Sequence, residues 1–332
     1  MLSEEEDYTH GHRSLVLLVY IVIFLIGFPA NLVAFYTFSK KVRHKSIPID
    51  ILLLNLTLSD LLFLLFLPFK MKEADDYMKW NMPNFLCPLT SFVFYSTIYN
   101  STYFLTAISI ERYLGVAFPI QYKLKRRPLY AMVASLFFWV ISMAHVSIVY
   151  IMQYFEHSNT TQTTPLELNI CYENFTQEQM EVLMPVRLEL FLFFFCVPFI
   201  ICSFCYINFV WILSKRPNIS RKKRQQAIGL SLGTLLVFVV CFAPFNLTHL
   251  VGFINWESPS WRVDAVLSSS LNASLDPIIF YFSSAALRVT FHHLFKSLVE
   301  RVQSFCCGCK GLYCPQLFWS RAQDSTPSAN DR

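Results

Sequence analysis

The chain has 332 residues and a formal net charge of +5, and it is 55% hydrophobic and 17% aromatic but only 15% charged. Soluble globular domains carry about 25% charged residues. This composition therefore excludes an ordinary soluble protein and indicates a membrane protein.

Seven apolar runs follow one another along the chain, separated by short polar connections. Each is long enough to cross about 30 Å of hydrocarbon as a helix that rises about 1.5 Å per residue. The runs lie at residues 14–38, 49–70, 86–111, 129–152, 185–212, 226–250 and 263–284. We predict an all-α membrane protein, a seven-transmembrane helix bundle with a short amphipathic cytoplasmic helix after span seven. Its predicted parts are an extracellular N-terminus at 1–13, the seven-span domain at 14–284, a membrane-surface helix at 285–300 and a cytoplasmic tail at 301–332.

Lysine and arginine are concentrated in the connections that follow spans one, three and five. The opposite connections hold fewer, and the 153–183 segment holds none. Because cytoplasmic connections are enriched in these residues, we predict an extracellular amino terminus and a cytoplasmic carboxyl terminus in the plasma membrane. The net charge then reflects topology, and nucleic acid is not expected as a partner. The enriched connections hold Lys40, Lys41, Arg43, Lys45, Lys123, Lys125, Arg126, Arg127, Lys215, Arg216, Arg221, Lys222, Lys223 and Arg224.

Two cysteines and two glycosylation motifs fall on the predicted outer side. Cys87 begins span three and Cys171 lies in the 153–183 loop, where an oxidising environment permits a disulfide between them. Asn159 and Asn174 lie in the same loop, each followed by the hydroxyl residue that N-glycosylation requires. We expect both asparagines to be glycosylated.

A second group of cysteines follows span seven on the predicted cytoplasmic side. Cysteines beside a membrane are typical sites of S-palmitoylation, which we predict for this cluster. A zinc site is the alternative, although two separated CxxC pairs are lacking. The predicted acylation sites are Cys306, Cys307 and Cys309.

Short motifs, one per span and in a fixed order, carry a resemblance to a known family. The motifs "NLTLSDLLF", "AISIERYLGVAFPIQY", "CFAPF" and "SLDPIIFY" resemble those of rhodopsin-like G-protein-coupled receptors, and "PVRLEL", "NLTHLVGF" and "SPSWR" resemble the free fatty acid receptors. The resemblance covers residues 15 to 290. It implies a receptor for short-chain fatty acids, with heterotrimeric Gi/Go and Gq proteins, arrestins and membrane lipid as partners. No catalytic motif is recognisable, and we do not predict an enzyme.

The resemblance also assigns an activation apparatus to the inner half of the bundle. Glu111 and Arg112 stand at the inner end of span three, where an ion pair could break and offer the arginine to a G protein. Pro198, Pro244 and Pro277 each remove an internal helix hydrogen bond and are expected to create kinks. The implied activation residues are Glu111, Arg112, Tyr113, Tyr206, Phe242, Pro244 and Pro277.

Two aspartates lie inside predicted spans. Charged groups in the membrane interior are costly, so Asp60 and Asp276 are expected to share a cation or a proton. The resemblance implies an allosteric sodium ion at Asp60 with Ser101, Asn272 and Asp276 as companions, and we predict no other metal or cofactor. A proton relay of a transporter and a paired-acid intramembrane enzyme are the alternatives.

Three basic side chains on consecutive spans predict the ligand. The topology places Arg187, His249 and Arg262 at a similar depth. Arginine forks bind both oxygens of a carboxylate, and a histidine adds a further hydrogen bond. These residues predict a carboxylate site, with Glu173 as the counter-ion when the site is empty. The alternative is that each arginine only anchors its helix at the membrane interface.

The remaining pocket residues are aromatic. Tyr95 lies about 12 Å deeper than Cys87 and could form the floor of a short apolar pocket. Tyr172 adjoins Glu173, and Phe245 stands where the family has a tyrosine. A four-atom ligand such as acetate gains at most about −6 kcal/mol, so we expect dissociation constants of about 0.1–1 mM. A hydroxycarboxylic or longer-chain acid receptor and a monocarboxylate transporter remain alternatives.

Overall fold

The computed structural model describes residues 2–155, 171, 175–216 and 220–309, which are helical apart from short connections and contain no β-strand. Residues 1–287 form one compact unit and 288–332 a second. The helical fold predicted from the sequence is confirmed. The helices are α1 Leu2–His44, α2 Pro48–Asp75, α3 Leu86–Ala117, α4 Pro119–Lys125, α5 Pro128–Val146, α6 Ile148–Phe155, α7 Gln177–Phe191, α8 Val197–Ser214, α9 Arg221–Asn255, α10 Arg262–Ser270, α11 Asn272–Ser283 and α12 Ala285–Cys309.

Five helical stretches within the described residues are long and apolar enough to cross a membrane by themselves, against seven predicted spans. The α3 helix falls short because its buried side chains include many hydroxyls and an amide, among them Thr97, Asn100 and Thr106. It packs against α2, α5, α8 and α9, so these polar groups face neighbouring helices and not lipid. Span seven falls short because the chain breaks at Leu271 into α10 and α11.

Two predicted spans are irregular inside. Span four divides at Ser147 into α5 and α6, and a π-helical segment at Leu192–Cys196 separates α7 from α8. Pro198 follows that segment. A proline has no N–H for the carbonyl four residues earlier, and the wide π turn accommodates its ring. By contrast, α9 continues through Pro244 without interruption.

Local sequence explains the boundaries of the helices that carry the site. A capping box starts α7, since the Thr176 hydroxyl accepts from the Gln179 N–H (3.3 Å) while the Gln179 side chain accepts from the Thr176 N–H (2.9 Å). The α9 helix ends at Asn255 because Trp256 adopts a left-handed backbone conformation, with φ of 53°. Trp256 thus begins the short turn that leads to Arg262.

The Cys87–Cys171 disulfide predicted from the sequence is present. It ties residue 171 to the first turn of α3 and packs against the buried Trp80, with Phe69 and Met82 beside it. We call this end of the bundle the disulfide end. The last two turns of α3, with Glu111 and Arg112, lie toward the other end, which we call the Glu111 end.

Candidate functional site

A small cavity lies near the disulfide end, among α3, α5, α6, α7, α9 and α10. The three basic residues singled out in the sequence all line it. Its other walls are aromatic and aliphatic, so the cavity joins concentrated positive charge to an apolar interior. The lining residues are Arg187, His249, Arg262, Tyr95, Tyr99, Phe245, Val146, Ile148, Val149, Leu183 and Leu190.

Arg187 is buried on α7, with 2% of its surface exposed. Its Nη1 donates a 2.8 Å hydrogen bond to the Ser258 hydroxyl, and its guanidinium carbon lies 5.5 Å from the centre of the Phe175 ring. Ser258 belongs to the turn between α9 and α10. This bond directs the Arg187 guanidinium toward α9 and α10. An arginine that only anchored its helix at the membrane interface would instead point toward the lipid.

Arg262 is the first residue of α10 and is 7% exposed. Its Nη1 donates to the Thr248 hydroxyl at 3.0 Å, and its guanidinium lies over the rings of Phe245 (5.2 Å) and Tyr95 (5.9 Å). Within the described part of the chain, no acidic side chain pairs with Arg262. Burying an unpaired cation costs several kcal/mol, so an anion in the cavity would be stabilising.

His249 lies on α9 and is 2% exposed. Its Nε2 is 2.8 Å from the Tyr99 hydroxyl, and its ring meets Phe245 edge to face at 4.7 Å. Among the described residues, nothing hydrogen-bonds its Nδ1. The sequence analysis missed Tyr99, although it follows Tyr95 by one helical turn and so shares its face of α3.

A second cavity, of about 580 Å³, shares Tyr95 and Arg262 with the first. Its walls include Tyr20 and a buried ion pair in which Lys70 Nζ lies 2.7 Å from a Glu73 carboxylate oxygen. The sequence analysis did not single out Lys70 as a residue of the site. Because Glu73 already neutralises Lys70, the second cavity offers less net positive charge to an anion than the first.

Several predicted residues have positions or side chains that the structure does not describe. The proposed counter-ion Glu173 and its neighbour Tyr172 lie outside the described residues. So do the two sequons at Asn159 and Asn174. Cys306, Cys307 and Cys309 belong to α12, but their side chains are outside the description. Glycosylation and acylation stay predictions.

The two membrane aspartates come together inside the bundle. Asp60 is 1% exposed and Asp276 0% exposed, and they are close enough to interact electrostatically. Ser101 lies beside this group, with its hydroxyl 3.5 Å from the Ser59 hydroxyl. Neither oxygen of Asp276 nor the side-chain nitrogen of Asn272 has a hydrogen-bond partner in the described structure. Two adjacent carboxylates with unsatisfied oxygens fit a cation or a bound proton.

The structure corrects the expected pairing at the Glu111 end. In the described residues no ion pair joins Glu111 to Arg112: Glu111 accepts a hydrogen bond from the Tyr122 hydroxyl, and Arg112 donates to Thr234 at 3.3 Å. The reason is that the two side chains reach different helices, α4 and α9. Burial and the bond to Glu111 raise the pKa of the Tyr122 hydroxyl.

The other residues predicted to act in activation lie within the helices of the bundle. The Tyr113 ring meets Phe204 edge to face at 5.8 Å. Tyr206 and Phe242 are both buried, at 2% and 0% exposure. Pro277 lies inside α11, six residues after the break at Leu271. Span seven is therefore interrupted at Leu271, and the kink predicted at Pro277 stays a prediction.

Comparisons with known proteins agree with this architecture. Residues 30–280 match the family described as 7 transmembrane receptor (rhodopsin family). The chain is 55% identical over 282 residues to free fatty acid receptor 2 of Mus musculus and 54% identical over 280 residues to free fatty acid receptor 2 of Homo sapiens, each match covering 84% of both chains. It is 45% identical over 290 residues to free fatty acid receptor 3 of Mus musculus, which covers 87% of this chain and 89% of that one.

Receptors of this kind cross the plasma membrane several times, bind a small-molecule ligand and heterotrimeric G proteins, and are not enzymes. The disulfide, the helical bundle and the similarity over most of the chain lead to one conclusion. The chain belongs to the rhodopsin family of seven-transmembrane receptors and, within it, to the group of the free fatty acid receptors.

Proposed function

We propose that this receptor is activated by short-chain carboxylates such as acetate, propionate and butyrate, with the carboxylate held by Arg187, Arg262 and His249. One observation carries the proposal: these three basic side chains, from α7, α10 and α9, line the same small cavity. The names of the related proteins support a fatty acid as the ligand.

The chemistry of the cavity favours an anion with a small apolar tail. The Arg262 guanidinium has no acidic partner among the described residues, so a ligand carboxylate would replace the missing counter-charge. An arginine fork offers two parallel hydrogen bonds to a carboxylate. Leu183, Leu190 and Val149 would then contact the alkyl tail.

The size and lining of the two cavities favour short acids over long ones. A longer tail that extended past Tyr95 and Arg262, the two residues that border both cavities, would enter the second cavity. Beyond them it would meet the Lys70–Glu73 ion pair and Tyr20. Placing an alkyl chain against this ion pair is unfavourable, because the chain displaces water from the charged groups and forms no hydrogen bonds with them.

The proposal includes a topology and a set of partners. With the amino terminus outside, the carboxylate cavity opens toward the extracellular side and the Glu111 end faces the cytoplasm. Arg112 would then contact the G protein, with Gi/Go and Gq as the proposed classes and arrestins as further partners. A tag at the amino terminus that antibodies reach on intact cells would support this orientation.

The buried aspartates are the second part of the proposal. We propose that Asp60 and Asp276, with Ser101 and Asn272, hold a sodium ion. The unsatisfied carboxylate oxygens of Asp276 support it. A bound cation would offset the repulsion between the two carboxylates and would make ligand affinity depend on sodium.

The decisive experiment is a dose series from acetate to decanoate in membranes that contain the receptor and a purified heterotrimer. Binding of a radiolabelled GTP analogue is measured for wild type, Arg187→Ala, Arg262→Ala and the control Lys79→Ala, which removes an exposed cation outside both cavities. Removing one partner of a desolvated charge pair costs about 2–5 kcal/mol, so both arginine variants should lose about 30-fold or more in propionate potency.

Several outcomes would overturn parts of this proposal. A full propionate response in both arginine variants, at equal surface expression, would exclude the anchoring role. A maximum at decanoate would replace the short-chain ligand by a longer one. Uptake of radiolabelled propionate without GTP loading would indicate transport. Repeating the assay with Gi, Go and Gq heterotrimers tests the proposed partners.

A further inference from the structure

An open cavity lies at the Glu111 end, where α2 begins, α3 ends and α5 begins. It is separate from the two cavities that border the arginines. One wall is the short helix α4, and three consecutive cations line it: Lys125, Arg126 and Arg127. The cavity is open on one side and carries dense positive charge.

The charges of this cavity are not neutralised by the protein. Within the described residues no acidic group forms an ion pair with Lys125, Arg126 or Arg127. All three are exposed. The one acidic residue in the lining is Glu111, whose carboxylate is already engaged by the Tyr122 hydroxyl. Three cations against one carboxylate leave an excess of positive charge.

Large apolar side chains surround the same cations. On α4, Ile120 is 73% exposed and Leu124 is 81% exposed. They are four residues apart and so lie on the same face of the helix. Such side chains are poorly solvated by water and are stabilised when lipid acyl chains cover them. A short helix that carries both exposed apolar residues and lysine or arginine is typical of a segment that lies in the membrane interface.

The apolar surface continues from α4 onto the next span. Leu129, Val133 and Leu136 of α5 are all exposed, and their spacing places them along one side of that helix. An occupant whose head lies in the basic cavity would therefore find a continuous apolar track for its tails. A free anion would use the cations and leave this track uncovered.

We propose that the cavity holds the headgroup of an anionic glycerophospholipid with more than one negative charge, of the phosphoinositide type, whose acyl chains lie along α4 and α5. Arg126 and Arg127 bind phosphate oxygens, since guanidinium forks match phosphate geometry. Tyr122 lies beneath Arg126, whose guanidinium is 5.9 Å from the ring centre. The lipid thus lies against the hydrogen bond that connects α4 to Glu111.

Native mass spectrometry of the full-length receptor tests the site, with dioctanoyl phosphatidylinositol bisphosphate as the probe. Each basic residue near an anionic lipid contributes about fivefold in affinity. The double variant Arg126→Gln with Arg127→Gln should therefore bind the probe about 25-fold more weakly than wild type. Lys123→Gln is the matched control, because it removes a neighbouring exposed charge that does not line the cavity.

Two further arms distinguish a lipid site from a site for free phosphates. Inositol trisphosphate carries a similar headgroup without acyl chains and should compete poorly, whereas Leu124→Ser should weaken probe binding without abolishing it. The probe should raise the melting temperature of wild type and not that of the double variant. An unchanged melting temperature of the double variant without lipid shows that it is folded.

Equal loss of binding in Lys123→Gln and in the double variant would overturn the proposal in favour of a diffuse basic surface. Displacement of the probe by an equal concentration of inositol trisphosphate would overturn it in favour of a soluble anion. Failure of the wild-type receptor to bind the probe would also overturn it. None of these outcomes bears on the carboxylate site, since no residue lines both cavities.

Discussion

The bundle buries two groups of charge with opposite sign. Near the disulfide end, Arg262 lines a cavity without an acidic partner among the described residues. In the interior, Asp60 and Asp276 lie together, at 1% and 0% exposure, without a basic partner in the described structure. The sign of each group predicts the sign of its occupant. In our proposal Arg262 and its neighbours bind an anion, and the aspartates bind a cation or protons.

The two groups also differ in what surrounds them. The arginines border a cavity with aliphatic walls formed by residues such as Leu183 and Leu190, so an organic anion has space for its tail. Around the aspartates the unsatisfied atoms belong to small polar groups, including the amide of Asn272. Such a site suits a small ion. In our proposal the first group recognises the ligand and the second binds the ion that modulates ligand affinity.

The strongest test of this comparison removes the charge from the ligand and leaves the receptor unchanged. Propionamide has nearly the shape of propionate but no negative charge. Because the pairing of desolvated charges contributes about 2–5 kcal/mol, propionamide should be about 100-fold weaker than propionate in the GTP-binding assay. The ratio should persist in Asp60→Asn, which alters only the interior group. Similar potency of the two compounds would show that the arginines do not recognise charge.

A second test addresses the hydrogen bond that orients His249 in the cavity. Tyr99→Phe removes the hydroxyl that lies 2.8 Å from His249 Nε2. A hydrogen bond that supports a charged contact contributes about 1.5–3 kcal/mol, so the propionate concentration for half-maximal response should rise about tenfold. Tyr103→Phe is the matched control on the same helix, since its hydroxyl donates to the Phe193 carbonyl (3.4 Å) and does not line the cavity. Equal effects of the two variants would contradict the assigned role of Tyr99.

A third test addresses the aspartates. If sodium binds between them, replacing sodium by choline should change propionate affinity in wild type by about fivefold or more, the usual scale of allosteric coupling. Asp60→Asn and Asp276→Asn should each remove this dependence, because the variants lose charge where the ion would bind. Radioligand competition in the two salts measures it. An undiminished sodium effect in both variants would place the ion elsewhere.

The smallest expected effect concerns a hydroxyl group added to the wall of the carboxylate cavity. Phe245 stacks on Tyr95 with ring centres 5.7 Å apart, and its ring is 5.2 Å from the Arg262 guanidinium. Phe245→Tyr adds a hydroxyl at the cavity wall, and one hydrogen bond contributes about 0.5–1.5 kcal/mol. Propionate potency should rise about threefold. Phe253→Tyr, on the same helix but away from the cavity, is the control and should leave the dose response unchanged. A fall in propionate potency for Phe245→Tyr would show that the cavity has no room for the hydroxyl.

Much of the architecture could be read from the sequence. Apolar run lengths located the helices, because the width of the hydrocarbon layer fixes the minimum length of a crossing helix. The disulfide followed from placing Cys87 and Cys171 on one side of the membrane. The convergence of Arg187, His249 and Arg262 followed from topology, because consecutive helices run in opposite directions and bring their adjoining ends to one level.

Other features needed the folded chain. The hydrogen bond between Tyr99 and His249 joins residues 150 positions apart, and its formation depends on the rotation of α3 against α9. The same holds for Ser258 beneath Arg187. Glu111 pairs with Tyr122 and not with the adjacent Arg112, because side chains that follow each other on a helix point in directions about 100° apart.

By itself the sequence determined that this protein is a helical membrane protein, and its motifs carried the resemblance that pointed to its family and to the basic residues of our proposal. The first depends on the hydropathy and length of each run, and the second on short local motifs. Only the tertiary structure decided which partners those residues have, that Glu73 neutralises Lys70 while Arg262 has no acidic partner among the described residues, and that Asp60 meets Asp276. Such pairings depend on how helices rotate and pack, which no single stretch of sequence specifies.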